Sequence, residues 1–198
     1  MRRTLTALAV VATAATLAPE NLEAQLSDQC WIAPGRGTPA EAQQRPSPKN
    51  SLEFTVGGET AVLCWDAPSM RGREIFGGLQ PYGQEWRLGA NEATAIHLPF
   101  GGDIGGVEVE PGSYSLIAVP GEESFEFFVN PVVERWGVPT SGPFRGQDLG
   151  SFTRSVTTLD ESVEQMTFRY EAHGESMGHL VMEWENTRVD IPVHKGMM

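Results

Sequence analysis

The stretch that decides the fold reads LEFTVGGETAVLCW and spans residues 52–65. Its first half alternates bulky and polar side chains, so that Leu52, Phe54 and Val56 share one face of an extended chain. The pair Gly57-Gly58 follows, and glycine adopts the positive φ angles of a tight turn at no steric cost. A second apolar run begins directly after it. The stretch therefore predicts two antiparallel strands joined by a hairpin turn.

The same period of two continues towards the C-terminus, with turn residues between the runs. The further runs are residues 96–100, 113–119, 125–129, 166–170, 180–184 and 189–193. Each run has one polar face, which is typical of antiparallel sheets, whereas buried parallel strands are apolar throughout. We therefore predict an all-β fold of eight or nine short strands, an antiparallel two-layer β-sandwich that is jelly-roll-like and has long irregular loops.

The first residues have the layout of a secretory leader. Arg2 and Arg3 precede the uncharged apolar run Leu5–Ala18, and Ala24 is a small residue suited to cleavage. The run is too short to span a bilayer comfortably. We predict a signal peptide over residues 1–24, and an exported protein, periplasmic or extracellular, with no integral membrane segment after cleavage. An uncleaved N-terminal anchor is the alternative.

The next residues contain few bulky side chains. Residues 33–51 consist mainly of Pro, Gly, Ala, Gln and Ser, a composition that buries too little apolar surface to offset the entropy of ordering. We therefore predict an N-terminal arm and linker over residues 25–51, followed by a single β-sandwich domain over residues 52–194.

The net charge is −12, and it stays the same without the leader, because Arg2 and Arg3 are balanced there by Glu20 and Glu23. A strongly acidic surface repels phosphate backbones. Nucleic acid is therefore not expected as a partner.

The two cysteines, Cys30 and Cys64, are an even pair in a chain predicted to reach an oxidising compartment. We predict a disulfide between them, which would stabilise the fold by ~3–4 kcal/mol on the chain-entropy estimate. Two unrelated thiols are the alternative, with Cys64 buried and Cys30 exposed.

Two segments interrupt the strand pattern, Pro68–Asn91 and Pro131–Gly150. Long irregular connections are where a compact sandwich carries a site. The first concentrates arginine, glycine and aromatic residues, which suit an anion or a stacked sugar. The candidate ligand-binding residues are Arg71, Arg73, Tyr82, Trp86, Arg87, Asn91 and Glu92. The alternative is a structural loop in which Arg87 pairs with Glu92, arginines bond loop carbonyls and Trp86 fills the core.

These motifs closely resemble an exported bacterial family known as domain of unknown function 2911, over about residues 46–193. The resemblance rests on Pro68-Ser69, Arg71-Gly72-Arg73, Ile75-Phe76-Gly77-Gly78, Pro81-Tyr82-Gly83, Trp86-Arg87, Gly89–Thr94, Pro111–Leu116, Val119–Glu122, Asn130 with Trp136-Gly137, and Trp184–Thr187. Leu88 and Cys64-Trp65 depart from the pattern. The family carries no established activity, so the resemblance implies none.

Three function classes stay open. The first is a non-catalytic module that binds a small polar or anionic ligand, such as a glycan, through residues 71–92. The second is a hydrolase-type enzyme whose Arg71, Arg73 and Arg87 hold an anionic substrate, with Glu92 or Asp66 as general base. The third is a structural protein that docks another envelope protein.

We expect no cofactor and no metal. The sequence has no nucleophile elbow, phosphate loop or dinucleotide motif. His173 and His179 flank a predicted hairpin tip, but one loop seldom supplies a complete metal site. The acidic residues Asp103, Glu108 and Glu110 do not have the spacing of a calcium loop.

Overall fold

The computed structural model describes residues 26–196, and the predicted signal peptide lies outside them. The strands are β1 (Lys49–Val56), β2 (Glu59–Asp66), β3 (Ala95–Leu98), β4 (Gly102–Ile104), β5 (Val107–Val109), β6 (Gly112–Pro120), β7 (Ser124–Asn130), β8 (Gly150–Ala172) and β9 (Met177–Lys195). One short helix, α1 (Pro39–Gln43), precedes them, and a 3-10 helix spans Pro143–Gln147.

All strand pairs are antiparallel, in the order β1-β2-β3-β6-β7-β8-β9-β4-β5. Strand β8 belongs to both layers, since residues 150–155 pair with β7 and residues 156–172 pair with β9. The β4–β5 hairpin crosses from β3 to the layer of β9, and the chain then returns to β6 beside β3. The predicted all-β antiparallel sandwich with long loops is confirmed.

Aromatic side chains join the two layers. The rings of Phe54 and Tyr170 have centroids 4.7 Å apart, and those of Trp65 and Phe168 are 5.3 Å apart. The predicted hairpin is present, with Phe54 opposite Ala61 and positive φ angles of 56° and 78° at Gly57 and Gly58. Alternation therefore places the large apolar side chains of both layers in one interior.

The predicted disulfide between Cys30 and Cys64 is confirmed, with a Cα–Cα distance of 5.5 Å. Both cysteines are buried and pack with Leu26 and Val62 in a second, smaller apolar cluster. The disulfide thus holds the N-terminal arm against the outer face of β2.

The stretch predicted as a linker is ordered in the structure. Helix α1 begins with a capping box between Thr38 and Glu41, and β1 already starts at Lys49. The order comes from charged side chains: Arg45 and Lys49 form ion pairs with the sandwich, as described below. The prediction of a linker considered only the apolar surface that the segment can bury, and therefore missed the order that ion pairs provide. Within residues 26–196 no helix has the length and hydrophobicity needed to cross a membrane.

Candidate functional site

The segment between β2 and β3 is irregular but firmly attached. Isolated β-bridges join Ser69 to Gln165 and Trp86 to Ala118. The carboxylate of Glu185 accepts hydrogen bonds from the backbone N–H groups of Ile75 at 3.0 Å and Phe76 at 3.3 Å. These contacts therefore hold the long segment between β2 and β3, which contains several of the motifs quoted above, against the sandwich.

Trp86 is part of the core and not a surface for stacking a ligand. Its side chain is only 3% exposed and its ring stacks on Trp184 with centroids 5.8 Å apart. The indole Nε1 donates to the carbonyl of Gly89 at 3.0 Å, so its polar group is satisfied internally. The structural alternative is the one observed here, because a tryptophan this buried has no face left for a sugar.

Arg71 and Arg73 are also occupied by the protein. Arg71 Nη2 donates to the carbonyl of Pro46 at 2.8 Å. Arg73 donates from Nε to Met70 O at 2.8 Å and from Nη2 to Ser69 O at 2.7 Å. Irregular segments expose carbonyl groups that strands would otherwise satisfy, and arginine suits this task.

Tyr82 lies over Gly77, where an added Cβ would come within 3.0 Å of its ring, and it is 41% exposed. Partial burial and the charges of Glu122, Glu185 and Glu74 raise the pKa of its hydroxyl. Three carboxylates near one ring oppose an anion. Tyr82 is therefore unsuited to the anionic ligand that the sequence predicted for this segment.

Glu92 is buried at 1% exposure in a cluster of charges that the sequence analysis did not foresee. Its Oε2 lies 2.7 Å from Arg45 Nη1 and 3.5 Å from Lys49 Nζ. Its Oε1 accepts a hydrogen bond from the backbone N–H of Ala33 at 3.1 Å. The expected pairing of Arg87 with Glu92 is thus replaced by partners from the N-terminal arm and β1.

Asp66 completes this cluster. Its Oδ2 lies 2.9 Å from Lys49 Nζ, and its Oδ1 accepts from Asn91 Nδ2 at 3.0 Å and from Arg45 Nη1 at 3.4 Å. Asn91 also donates to Ser47 O at 3.1 Å, which occupies its amide. We call Arg45, Lys49, Asp66, Asn91 and Glu92 the buried charge cluster; its two cations and two anions are balanced.

The low pKa of Glu92 argues against its use as a catalytic base. Burial alone would raise the pKa of Glu92, but the hydrogen bond from Arg45, the charge of Lys49 and the Ala33 N–H lower it to about 2. A carboxylate this strongly held accepts protons poorly near neutral pH. Burial raises the pKa of Asp66 against the opposing effect of Lys49. Both carboxylates are sequestered from solvent, so substrate cannot reach them in this conformation.

The second irregular segment, between β7 and β8, docks on the end of the first. Glu92 forms a β-bridge with Trp136, and the backbone of Gly137 donates to Asn91 O at 2.8 Å. A Cβ at Gly137 would collide with the side chain of Arg87, so the arginine lies directly on the glycine backbone. The two segments that interrupt the strand pattern therefore meet.

Several guanidinium groups lie over aromatic rings where the two irregular segments meet. Arg135 lies 4.4 Å from the Phe144 ring centroid, and Arg145 lies 4.3 Å from that of Phe128. Stacking of this kind holds the planar guanidinium in place. A third pair adds Arg36, 4.4 Å from the Trp136 centroid. We call the whole set the arginine–aromatic face: Arg36, Arg87, Arg135, Arg145, Phe128, Trp136 and Phe144.

Several of these donors are buried without an acceptor. Arg135 Nε and Nη2 and Arg145 Nη1 make no hydrogen bond within the part of the chain that the structure describes. Arg145 Nη2 lies 3.2 Å from both Glu85 Oε1 and Asp148 Oδ2. The ion pairs among residues 26–196 include neither Arg135 nor Arg87. The face thus holds positive charge and hydrogen-bond donors in excess of its internal partners.

Burial also shifts the pKa values of two arginines of the face, Arg87 and Arg135. Burial lowers the pKa of Arg87, opposed by the charge of Asp66. Burial and the neighbouring charge of Arg145 lower the pKa of Arg135, opposed by Asp148. Both guanidinium groups remain cationic, because the ordinary pKa of arginine is far above neutral. Each would gain from a nearby negative charge.

Sequence reasoning named Arg87 but missed Arg36, Arg135 and Arg145. Two signals pointed towards them: the irregular segment Pro131–Gly150, and the spacing of Asn130 with Trp136-Gly137. In the structure Asn130 Nδ2 donates to Phe144 O at 2.9 Å and to Asp148 Oδ1 at 2.8 Å, which shapes the loop beneath the face.

The histidines at the hairpin tip do meet, with the ring centroids of His173 and His179 4.3 Å apart. Among residues 26–196, however, no group of three or more His, Cys, Asp or Glu side chains is arranged to hold a metal ion.

Fold and site together define a class: an all-β sandwich with a disulfide-anchored arm, a buried charge cluster and an arginine-rich junction of two loops. A family described as "Protein of unknown function (DUF2911)" matches residues 47–193, and the chain belongs to this family. The resemblance drawn from the sequence motifs is confirmed. No curated protein and no solved structure matches the chain. The description of the family leaves its function uncharacterised.

Proposed function

We propose that the protein is an exported module that binds a small polar anion, a carboxylate or phosphate group such as an acidic sugar carries, and that this binding is non-catalytic. The binding surface is the arginine–aromatic face. The observation that carries the proposal is the set of three buried guanidinium nitrogens, Arg135 Nε and Nη2 and Arg145 Nη1, that have no acceptor in residues 26–196.

The energetics of burial support an anion. A buried donor without an acceptor costs about 1–3 kcal/mol, more for a charged group. A guanidinium presents its N–H groups in a fixed fork that matches the two oxygens of a carboxylate or phosphate. One anion bound beside Arg135 and Arg145 would satisfy several donors together and offset the repulsion between the two cations.

The charge distribution favours a small anion over a polymer. The face contains four arginines, and the adjacent carboxylates of Glu85 and Asp148 reduce its charge from +4 to about +2. The whole chain has a net charge of −12, so a long polyanion would meet repulsion beyond the face. We therefore expect a monomeric or short acidic ligand.

Export is proposed on the disulfide and the leader-like N-terminus together. Disulfides persist in oxidising compartments and are rare in a reducing cytosol. Both cysteines of the Cys30–Cys64 bond are buried, which protects it from exchange.

The test is binding of sodium phosphate, glucuronate and glucose by calorimetry and thermal shift. Phosphate or glucuronate is expected to bind and raise the melting temperature, and neutral glucose is not. Arg135→Gln and Arg145→Gln should each remove the effect while leaving the ligand-free melting temperature within a few degrees. Arg73→Gln is the matched control, because Arg73 donates only to loop carbonyls.

Two results would overturn the proposal. One is the absence of binding by either anion at millimolar concentration. The other is an equal loss of binding in Arg73→Gln and Arg135→Gln, which would separate anion affinity from the arginine–aromatic face.

A further inference from the structure

A serine and a histidine form a close pair that belongs neither to the buried charge cluster nor to the arginine–aromatic face. His97 of β3 lies directly opposite Ser113 of β6 in the antiparallel register. Residues opposite each other project to the same side of a sheet. His97 Nδ1 and Ser113 Oγ are 2.7 Å apart, a short distance for a hydrogen bond between neutral groups.

The pair opens onto a cavity of about 180 Å³. Neighbouring Ile96 and Tyr114 belong to the core, so His97 and Ser113 face the outer side of the layer. The cavity is also lined by Thr60 and by Gln29 of the N-terminal arm. Because Cys30 is bonded to Cys64 of β2, the disulfide places Gln29 at this wall.

His97 is in the state that a general base requires. Burial lowers the pKa of its imidazole, so the ring is neutral at physiological pH. Its Nε2 is buried and has no hydrogen-bond partner among residues 26–196. In the tautomer with the proton on Nε2, Nδ1 accepts the hydrogen bond of the Ser113 hydroxyl.

We infer that Ser113 is a nucleophile activated by His97, and that the cavity takes the acyl group of a small ester. The pair has the arrangement in which a neighbouring base activates a weak hydroxyl nucleophile. Thr60 and Gln29 line the cavity with neutral donors for a developing oxyanion. This activity is independent of the arginine–aromatic face.

The step balances without a cofactor. Ser113 Oγ attacks the ester carbonyl carbon while its proton passes to His97 Nδ1. The bond from carbon to the leaving alcohol oxygen breaks, and His97 returns the proton to that oxygen. Water then repeats the sequence on the acyl-serine and releases the carboxylic acid. Nothing is oxidised or reduced.

The opposing interpretation is a cross-strand hydrogen bond that only stabilises the sheet. A structural pair does not make the serine reactive, so covalent labelling separates the two. The probe is a fluorophosphonate, whose phosphorus is attacked by Oγ with loss of fluoride, the serine proton being taken by His97 and released to solvent.

The experiment measures intact mass and maps the labelled peptide of the disulfide-bonded protein. One equivalent of phosphonyl group is expected on Ser113, absent in Ser113→Ala and absent after thermal denaturation of the wild type. His97→Gln should slow the labelling at least tenfold. Ser151→Ala, at an exposed serine of β8, should leave it unchanged.

The wild-type peptide map is decisive even if a variant folds poorly. No modification at Ser113 after prolonged exposure to excess probe would overturn the inference. Equal labelling rates for wild type and a folded His97→Gln protein would also overturn it. Loss of anion binding at the arginine–aromatic face has no bearing on either result.

Discussion

Lys49 and Asp66 form an ion pair with both side chains removed from solvent, at 1% and 0% exposure and with 2.9 Å between Nζ and Oδ2. The pair joins the start of β1 to the end of β2, since the two residues are register partners. Charges this deeply buried repay their desolvation only through close partners. The ion pair therefore stabilises the β1–β2 hairpin at the end where β1 begins and β2 ends.

Removal of the lysine should be severely destabilising. Lys49→Met leaves the buried carboxylates of Asp66 and Glu92 with Arg45 as their remaining ion-pair partner among residues 26–196. We expect a loss of about 3–5 kcal/mol in the free energy of unfolding. Urea denaturation measures it. The matched control is Lys195→Met, whose partner Glu59 is 39% exposed and whose loss should be about 1 kcal/mol or less. Similar losses in both variants would contradict the prediction.

Acidification should act through Glu92. Its pKa is about 2 in the folded protein against an ordinary 4.5, so its stabilising effect is complete above pH 4.5 and is lost as the pH falls towards 2. The effect is on the order of 3 kcal/mol. Glu92→Gln lacks it at every pH. The stability difference between wild type and Glu92→Gln should therefore shrink between pH 4.5 and 2, and a constant difference would refute the assignment.

The fold was predictable because it rests on local alternation. Phe54 and Val56 lie on the buried face in the structure just as the two-residue period places them in the sequence. The turn at Gly57-Gly58 follows from the positive φ angles that glycine adopts readily, a property that the sequence states directly. Alternation of apolar and polar side chains predicts a strand wherever one face of the sheet is buried and the other is exposed to solvent.

The candidate site was harder to predict than the fold, because the residues that contact one another there are distant in the sequence. Glu92 takes its cation Arg45 from 47 residues upstream, and no spacing rule connects the two. Trp86 and Arg87 are neighbours in the chain, yet one enters the core and the other lies on Gly137. In an irregular segment no period states which side chain points inwards, so residue types alone grouped them wrongly.

Loss of the disulfide should loosen the N-terminal arm. The double variant Cys30→Ser, Cys64→Ser is expected to lose about 3 kcal/mol of unfolding free energy on the chain-entropy estimate. Amide exchange should accelerate at Ala33, whose N–H is bonded to Glu92. Added reductant should have no further effect on this variant. Unchanged exchange at Ala33 would show that the ion pairs hold the arm without the disulfide.

Gly137 tests the contact between the two loops. Gly137→Ala forces a Cβ against the side chain of Arg87 and to 2.9 Å from Asn91 O, so we expect destabilisation by about 1–3 kcal/mol and weaker anion binding. Gly146→Ala is the control, because its Cβ would meet nothing within 4 Å. Melting temperature and calorimetry measure the two effects. Equal behaviour of the two alanine variants would contradict the proposed packing.

Strand β8 has a consequence for how any ligand is recognised. It runs from Gly150 to Ala172 and pairs with β7 at one end and β9 at the other. The two layers thus share one continuous strand, which limits how far they can move relative to each other. Any movement that lets an anion reach the buried donors of Arg135 and Arg145 should therefore come from side chains and loops, with the layers keeping their positions.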